Sequence, residues 1–355
     1  MSARQRINKI YSQMKKQAID SLLISLPANI AYLTTYPSRD SWLLLAKGKN
    51  IYITDSRYAA EAKNSLSRIF SIRQAGAALT ETLASLAKEL GIKKLGIEQK
   101  HISAYAYQKM ACGLTGIAEV IPVIDIVEPL REIKSPQEIE KIKKATRIAS
   151  AALRFIKRHI AAGAKEIEIA GEIERFIRHK GAEGPSFDII VASGPNSSYP
   201  HHKTSHRKIA KNDLVLIDMG VEYCGYKSDL TRVFFLGKIN PLVRKVYDIV
   251  AEAQKVAIKS IKPGIMTNEV DMAARQYIAG KGYGGLFSHS LGHGVGLEIH
   301  ESPRLSPREN RRIRKGMVFT IEPAIYIPGE FGIRIEDMVV VTQKGVKVLS
   351  GSLNK

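Results

Sequence analysis

Leu214-Val215-Leu216-Ile217-Asp218 is a run of four apolar residues that ends on a carboxylate. Its length and composition are those of a strand buried on both faces. A chain that folds around such a strand must carry an ionised group to the edge of its core. A lone buried carboxylate loses several kcal/mol of solvation, so the fold has to supply a cation or raise the pKa.

Asp229-Leu230-Thr231-Arg232-Val233-Phe234-Phe235-Leu236 reads as a second strand. A hairpin turning at Tyr223-Cys224-Gly225 sets Asp229 directly opposite Asp218, with the side chains about 5 Å apart on one face. Alone, Asp229 is more simply a turn or strand-end residue; opposite Asp218 it makes a pair of repelling anions that a shared cation would stabilise. Ser288 to Glu301 (SHSLGHGVGLEIHE) places His289, His293 and His300, three of the nine histidines, among three glycines. Glycine allows close backbone approach, and histidine is the commonest metal ligand and acid–base group. Met317-Val318-Phe319-Thr320-Ile321-Glu322-Pro323 is another strand that ends on a carboxylate, stopped by proline. In Ile333-Arg334-Ile335-Glu336-Asp337, period-two alternation projects Arg334 and Glu336 to one face. Pro328-Gly329 supplies a turn that can bring Glu322 and Glu336 together. By itself this last piece is a surface Arg–Glu pair.

Taken together, the segments offer two Asp, two Glu and an imidazole. Four carboxylates carry four negative charges, which two divalent cations balance. Oxygen-rich ligation without thiolate favours Mn²⁺, with Co²⁺, Zn²⁺ or Fe²⁺ also admitted. Two such ions activate a shared water at neutral pH, which is the chemistry of a hydrolase.

The remaining composition restricts function by exclusion. The two cysteines, Cys112 and Cys224, make neither a disulfide scaffold nor a thiolate zinc site. No apolar run approaches the ~18 residues of a membrane span, and the polar N-terminus lacks a signal-type apolar core. The expectation is a soluble, cytoplasmic protein without a membrane partner. The 355 residues carry 54 Lys+Arg against 34 Asp+Glu, a net charge of +20. That basicity attracts polyanions whatever the specific function. The clusters His202–Lys211 and Arg308–Lys315 have no interleaved aromatics for base stacking, so no specific nucleic-acid partner is expected.

Strands are expected at Ser21–Leu26, Ser41–Ala46, Asn50–Thr54 (with an exposed face), Lys93–Glu98 and Val120–Ile126. Helices over Arg57–Asn64 and Ala78–Leu90 make this part a small α/β domain. A seam falls near Glu128–Lys134. Ser135-Pro136-Gln137-Glu138 is then a capping box with proline at the first helical position. The helix it opens carries apolar residues at helical spacing from Ile139 to Ile156. Further helices are expected over Ile167–His179, Val243–Lys262 and Asn268–Lys281.

The segments LIDMG…SDLTR, SHSLGHGVGLEIHE, TIEPA and RIED resemble the motif set of the pita-bread metallopeptidases, the superfamily of Xaa-Pro aminopeptidases, prolidases and methionine aminopeptidases. Asn29-Ile30-Ala31-Tyr32-Leu33-Thr34 and Ile53-Thr54-Asp55-Ser56-Arg57-Tyr58 resemble the creatinase-type domain of the proline-specific branch. The resemblance implies an α+β chain: a smaller α/β creatinase-like domain over 1–130 and a pita-bread catalytic domain over 131–355. It implies that Asp218 chelates one metal, that Asp229 and Glu336 bridge both, and that His293 and Glu322 hold the other. It further implies that His201, His289 and His300 orient the scissile carbonyl and stabilise the intermediate, and that Arg334 braces a bridging ligand. Glu322 would also move the water proton to the proline nitrogen. Methionine aminopeptidases generally lack the first domain, and creatinase lacks the ligand set. The expected activity is that of an Xaa-Pro aminopeptidase acting on proline-containing peptides as a homodimer, with an Xaa-Pro dipeptidase (prolidase) as the alternative. A third reading, from a different class, is a metal-free binding module with nucleic-acid affinity.

Overall fold

A computed structural model describes residues 1–37, 40–66, 68–76 and 78–351. Backbone contacts divide it into two units, Met1–Arg131 and Glu132–Lys355.

The first unit runs α1 (Ala3–Lys16), β1 (Ser21–Ile24), α2 (Pro27–Thr34), β2 (Ser41–Ala46), β3 (Lys49–Thr54), α3 (Ser56–Leu66), β4 (Ser71–Gln74), α4 (Leu79–Leu90), β5 (Lys94–Glu98), α5 (Ala104–Gly113), β6 (Glu119–Val123) and α6 (Glu128–Arg131). Its mixed sheet has the order β4-β3-β2-β1-β5-β6. Asn50–Thr54 does not expose a face: Ile51 to Thr54 are all buried, because β3 lies inside the sheet between β2 and β4. The alternation of NIYIT is real, but Tyr52 and Thr54 are large or hydrogen-bonding enough to fill an interior position. The polar N-terminus hides a helix whose Ile7, Ile10 and Met14 recur at helical spacing and are buried.

The second unit begins with α7 (Pro136–Ile156), capped by Ser135 and Glu138 in the reciprocal manner its sequence specifies. It continues through α8 (Glu166–His179), β7 (Gly184–Pro185), β8 (Ile190–Ser193), β9 (Leu214–Met219), β10 (Val221–Tyr223), β11 (Tyr226–Lys227) and β12 (Leu230–Phe235). Helices α9 (Pro241–Ser260) and α10 (Thr267–Gly280) precede β13 (Gly292–Gly294), β14 (Glu301–Leu305), β15 (Val318–Ile321), β16 (Ala324–Ile327), β17 (Phe331–Arg334), β18 (Asp337–Val341) and β19 (Val346–Val348). The sheets are β12-β9-β8, β14-β13-β15-β18-β19, β11-β10-β7 and the pair β16-β17.

The unbroken apolar run of β9 has a direct cause. Val215 and Ile217 pack with the α7 and α8 residues Ala149, Leu153, Ile173 and Ile177. Leu214 and Leu216 pack with the α9 and α10 residues Val246, Val250, Ala274 and Ile278. Helices on both faces leave no polar side for this strand, and Asp218 is where the run meets the site. No described helix is long and apolar enough to cross a membrane.

Candidate active site

The β9–β12 hairpin has a different register from the expected one. Cys224 and Gly225 form a two-residue turn with φ of 49° and 74°, the left-handed pair of a type I′ hairpin. Tyr223 therefore pairs with Tyr226, and Asp218 faces Thr231 rather than Asp229. Asp229 lies two residues from Asp218's partner, on the same face but diagonally placed. The pair of aspartates survives; the direct opposition does not. Thr231 fills the position between them and turns out to be part of the site.

Arg334 and Glu336 do not lie in one continuous strand, because the chain breaks between β17 and β18. There Glu336 donates its backbone N–H to Thr231 O (3.2 Å), and buried Arg232 holds Glu336 O and Asp337 Oδ1 (2.6 Å to the latter). Arg334 donates to Asp218 Oδ2 at 2.6 Å, to Thr231 Oγ1 at 3.1 Å and to Tyr326 OH at 2.6 Å. Thr231 passes the connection on, donating to Glu336 Oε2 at 2.8 Å. Arg334 thus reaches Glu336 through a hydroxyl and pairs directly with Asp218.

His293 is presented by a strand that only glycine could flank. A Cβ at Gly292 would lie 2.0 Å from Thr320 O, and one at Gly294 2.4 Å from Ser302 O. A register irregularity follows His293, an interruption of the ladder of the kind found next to active sites. His293 Nδ1 donates to Gly294 O at 3.2 Å, which leaves Nε2 as a lone pair. That lone pair faces Asp229 Oδ2 at 3.5 Å and Glu322 Oε1 at 3.4 Å. Asp229, His293 and Glu336 each bring a ligand-type atom within 4.8 Å of one another.

The electrostatics are those of negative charge gathered without enough positive charge. Burial and then the neighbouring carboxylates Glu336, Asp218 and Glu322 hold Asp229 well above the usual carboxylate range. Glu336 is raised for the same reasons, by burial and then by Glu322 and Asp218. Glu322 is pushed up to about 8, chiefly by burial. Burial and then nearby His300 lower His293 to about 3, so its ring is neutral. Asp218 Oδ1 and Glu336 Oε1 are buried with no hydrogen-bond partner among the described residues. Orphaned carboxylate oxygens beside an imidazole lone pair gather more acceptor sites than the neighbouring donors satisfy. Hard divalent cations fit this donor set.

A cavity of ≈ 1100 Å³ opens on the cluster. His201, His289 and His300 all line it. His289 has both ring nitrogens engaged, Nδ1 with Ser290 O (2.8 Å) and Nε2 with Tyr326 OH (3.2 Å). Burial and then Arg334 lower it to about 4, so it too is neutral. His300 stacks edge-on to His293, with ring centroids 4.3 Å apart. His202, the next residue after His201, is bound to buried Glu166 at 3.0 Å. Sequence reasoning missed Thr231, Tyr326 and Thr320. Thr231 was within reach, because it follows Asp229 by two in a strand and so shares its face. Thr320 likewise precedes Glu322 by two, and its hydroxyl donates to Glu322 Oε1 at 3.1 Å.

Comparison with known proteins agrees in both units. Residues 6–133 match the creatinase/prolidase N-terminal domain, and residues 140–343 match metallopeptidase family M24. The Xaa-Pro dipeptidase of Pyrococcus horikoshii is 39% identical over 98% of this chain and 97% of its own length. The solved Xaa-Pro dipeptidase from Bacillus anthracis is 39% identical, covers 100% of this chain and 99% of that one, and superposes with a TM-score of 0.96. The X-Pro aminopeptidase from Thermotoga maritima is 37% identical over 97% of this chain and 99% of that one, with a TM-score of 0.88. The two-unit α+β architecture, the metal-ligand chemistry of the cavity and these likenesses agree: the chain belongs to metallopeptidase family M24, hydrolases that use divalent metal ions, and carries the creatinase/prolidase N-terminal domain ahead of its peptidase domain.

Proposed function

We propose that this protein hydrolyses the bond before a penultimate proline and releases the N-terminal residue, as an Xaa-Pro aminopeptidase of the cytoplasm acting as a homodimer. The catalytic unit is the second, expected over 131–355, with 1–130 as the accessory domain. The observation that carries the reading is the crowded carboxylate cluster, in which His293 Nε2 faces Asp229 and Glu322 beside orphaned oxygens of Asp218 and Glu336. These five residues would hold two divalent ions, Mn²⁺ being the best match to the donor set. When bound, such ions supply a Lewis acid and an activated water at neutral pH.

The chain's own residues do the rest. Glu322 accepts the proton of the attacking water and returns it to the proline nitrogen, which has no N–H of its own and is a poor leaving group unprotonated. His300, kept neutral by burial and then by Arg304, donates a ring N–H to the oxyanion that develops on the carbonyl. His201, on the cavity wall, helps to orient the carbonyl. His289 braces Tyr326, and through it Arg334, instead of reaching for substrate. Arg334 and Thr231 fix Asp218 and Glu336 in the geometry a metal needs.

Chelation abolishes turnover of Ala-Pro-Ala in this scheme, and Mn²⁺ restores it. His300→Ala lowers kcat by about 10²–10³-fold while bound Mn²⁺ stays constant. An undiminished kcat in that variant removes His300 from the oxyanion role.

A dipeptidase is the second reading, and one observation favours it. Arg304 lines the cavity close enough to His300 to lower its pKa, so a guanidinium is available for the free carboxylate of an Xaa-Pro dipeptide. The cavity's volume, beyond what a dipeptide fills, favours the longer substrate. Comparing Ala-Pro with Ala-Pro-Ala decides between them. If Arg304 reads the carboxylate, Arg304→Ala raises KM for Ala-Pro by at least tenfold and leaves its kcat and the tripeptide unchanged. Equal effects on both substrates exclude that role. A protein that binds no divalent ion and turns over neither peptide is the binding module instead.

A further inference from the structure

Outside the carboxylate cluster, a second heavily hydrogen-bonded charge is Glu166, the first residue of α8. It is fully buried. Its Oε1 accepts from Ser193 N and Oγ, both at 2.7 Å, and from Asn196 Nδ2 at 3.0 Å. Its Oε2 accepts from His202 Nε2 at 3.0 Å, Ser205 N at 3.2 Å and Ser205 Oγ at 2.6 Å. All six contacts are donors, so the group is an ionised carboxylate that accepts on every side. Although burial alone would raise its pKa, the hydrogen bonds from Ser205, Ser193 and His202 bring it down to about 2.

The six donors are not scattered. Ser193 and Asn196 stand at the start of the segment between β8 and β9, while His202 and Ser205 stand beyond its tip. Between them lie Pro200, whose carbonyl accepts from Arg334 Nη1 at 3.2 Å, and cavity-lining His201. The backbone around the hub is tied as well, with Glu166 N donating to Arg207 O and Ile167 N to Ser205 O, both at 3.1 Å. One buried anion therefore closes a loop at both ends, and the loop tip enters the active cavity.

We infer that Glu166 is a positioning residue, which fixes the 193–205 loop so that His201 and the Pro200 carbonyl meet the reacting centre. The inference rests on the peptidase reading of the cavity and extends it to a side chain that touches neither metal nor substrate. A buried carboxylate serving only the fold would gain little from gathering donors on both sides of a catalytic histidine. Glutamine is a poor replacement, because its NH₂ group would face the backbone N–H of Ser193 or Ser205, a donor that cannot turn to accept.

The test uses the full-length protein loaded with Mn²⁺ and Ala-Pro-Ala as substrate. Glu166→Gln lowers kcat by roughly 10–100-fold, the range for loss of a group that orients catalytic side chains, with bound Mn²⁺ unchanged. If the effect passes through His201, Glu166→Gln adds less than twofold in a His201→Ala background, and Glu166→Asp recovers part of the loss. Full kcat in Glu166→Gln overturns the inference, and so do losses that multiply in the double variant. Should Glu166→Gln fail to fold, Asn196→Ala and Ser205→Ala each remove one donor, and wild-type kcat in both overturns it equally. Absence of turnover in the unmutated protein counts against the peptidase reading alone. Amide hydrogen exchange then decides, and unchanged protection of residues 194–204 in Glu166→Gln removes the hub role.

Discussion

Asp229→Asn is expected to leave a folded protein that loses bound Mn²⁺ and nearly all Xaa-Pro turnover. Asparagine keeps the size of the side chain, so the packing around it is preserved. It removes one negative charge and one anionic oxygen from a cluster whose remaining members are Asp218, Glu322, Glu336 and the His293 lone pair. Asp229 is the member nearest to being shared: its Oδ2 faces His293 Nε2 at 3.5 Å, and it stands diagonally from Asp218 on the same face. Losing it should exceed the roughly 10²–10³-fold cost of removing a single oxyanion donor, because the ions and the activated water are lost together. The same substitution should make the metal-free protein more stable at pH 8. Asp229 is held above the usual carboxylate range by burial and by its neighbours, so its ionised form is strained without a cation. Metal analysis, kcat and a thermal melt in chelator measure the three effects on one preparation. Wild-type turnover with less than one equivalent of metal would remove Asp229 from the centre.

The strands that carry the site were legible because their chemistry is local. An apolar run ending on Asp218, a glycine-flanked His293 and a proline-stopped Glu322 each announce a chain that must place a polar group at a buried edge. The seam and α7 were legible for a similar reason, since the capping box Ser135–Glu138 acts within a single turn. What failed was register and context. The hairpin register depended on which residues form the turn, and the left-handed pair Cys224–Gly225 decides that. The exposed face expected of β3 depended on which strands flank it, and β4 was not foreseen. The strand assumed to run through Arg334 and Glu336 is broken because its two halves pair with different partners, β16 and β15. Thr231 and Glu166 illustrate the remaining limit. Strand alternation puts Thr231 on the face of Asp229, but its partner Glu336 lies more than a hundred residues away and those of Glu166 up to thirty-nine, and no local pattern encodes such pairings.

Between about pH 6.5 and 8, the metal-free protein should lose stability as the pH rises. Glu322 is pushed up to about 8 in the folded chain, from an unfolded value near 4.5. Across that window the native state keeps a proton that the unfolded state has released, so the unfolding free energy falls with pH. At about 1.36 kcal/mol per pH unit, Glu322 alone accounts for roughly 2 kcal/mol over the window. Asp229 and Glu336 are shifted in the same direction and add to it. Below pH 6.5 the slope is offset. His289 and His293 are lowered to about 4 and about 3, so there the unfolded chain binds the extra protons and their contribution rises with pH. Glu166, lowered to about 2, contributes its full stabilisation at every pH above about 4.5 and is flat across the window. The signature is a shallow profile to pH 6.5, followed by a decline. For a unit of this size, ~2 kcal/mol corresponds to a fall in Tm of about 4–8 °C. Saturating Mn²⁺ should abolish the decline, because the ionised carboxylates then have the charge that the protein alone withholds, and binding at a hundred times Kd adds about 2.7 kcal/mol. Melts at pH 6.5 and pH 8, in chelator and in Mn²⁺, make the comparison. A metal-free Tm that holds or climbs between those two values would mean that the carboxylates are not crowded as their distances imply.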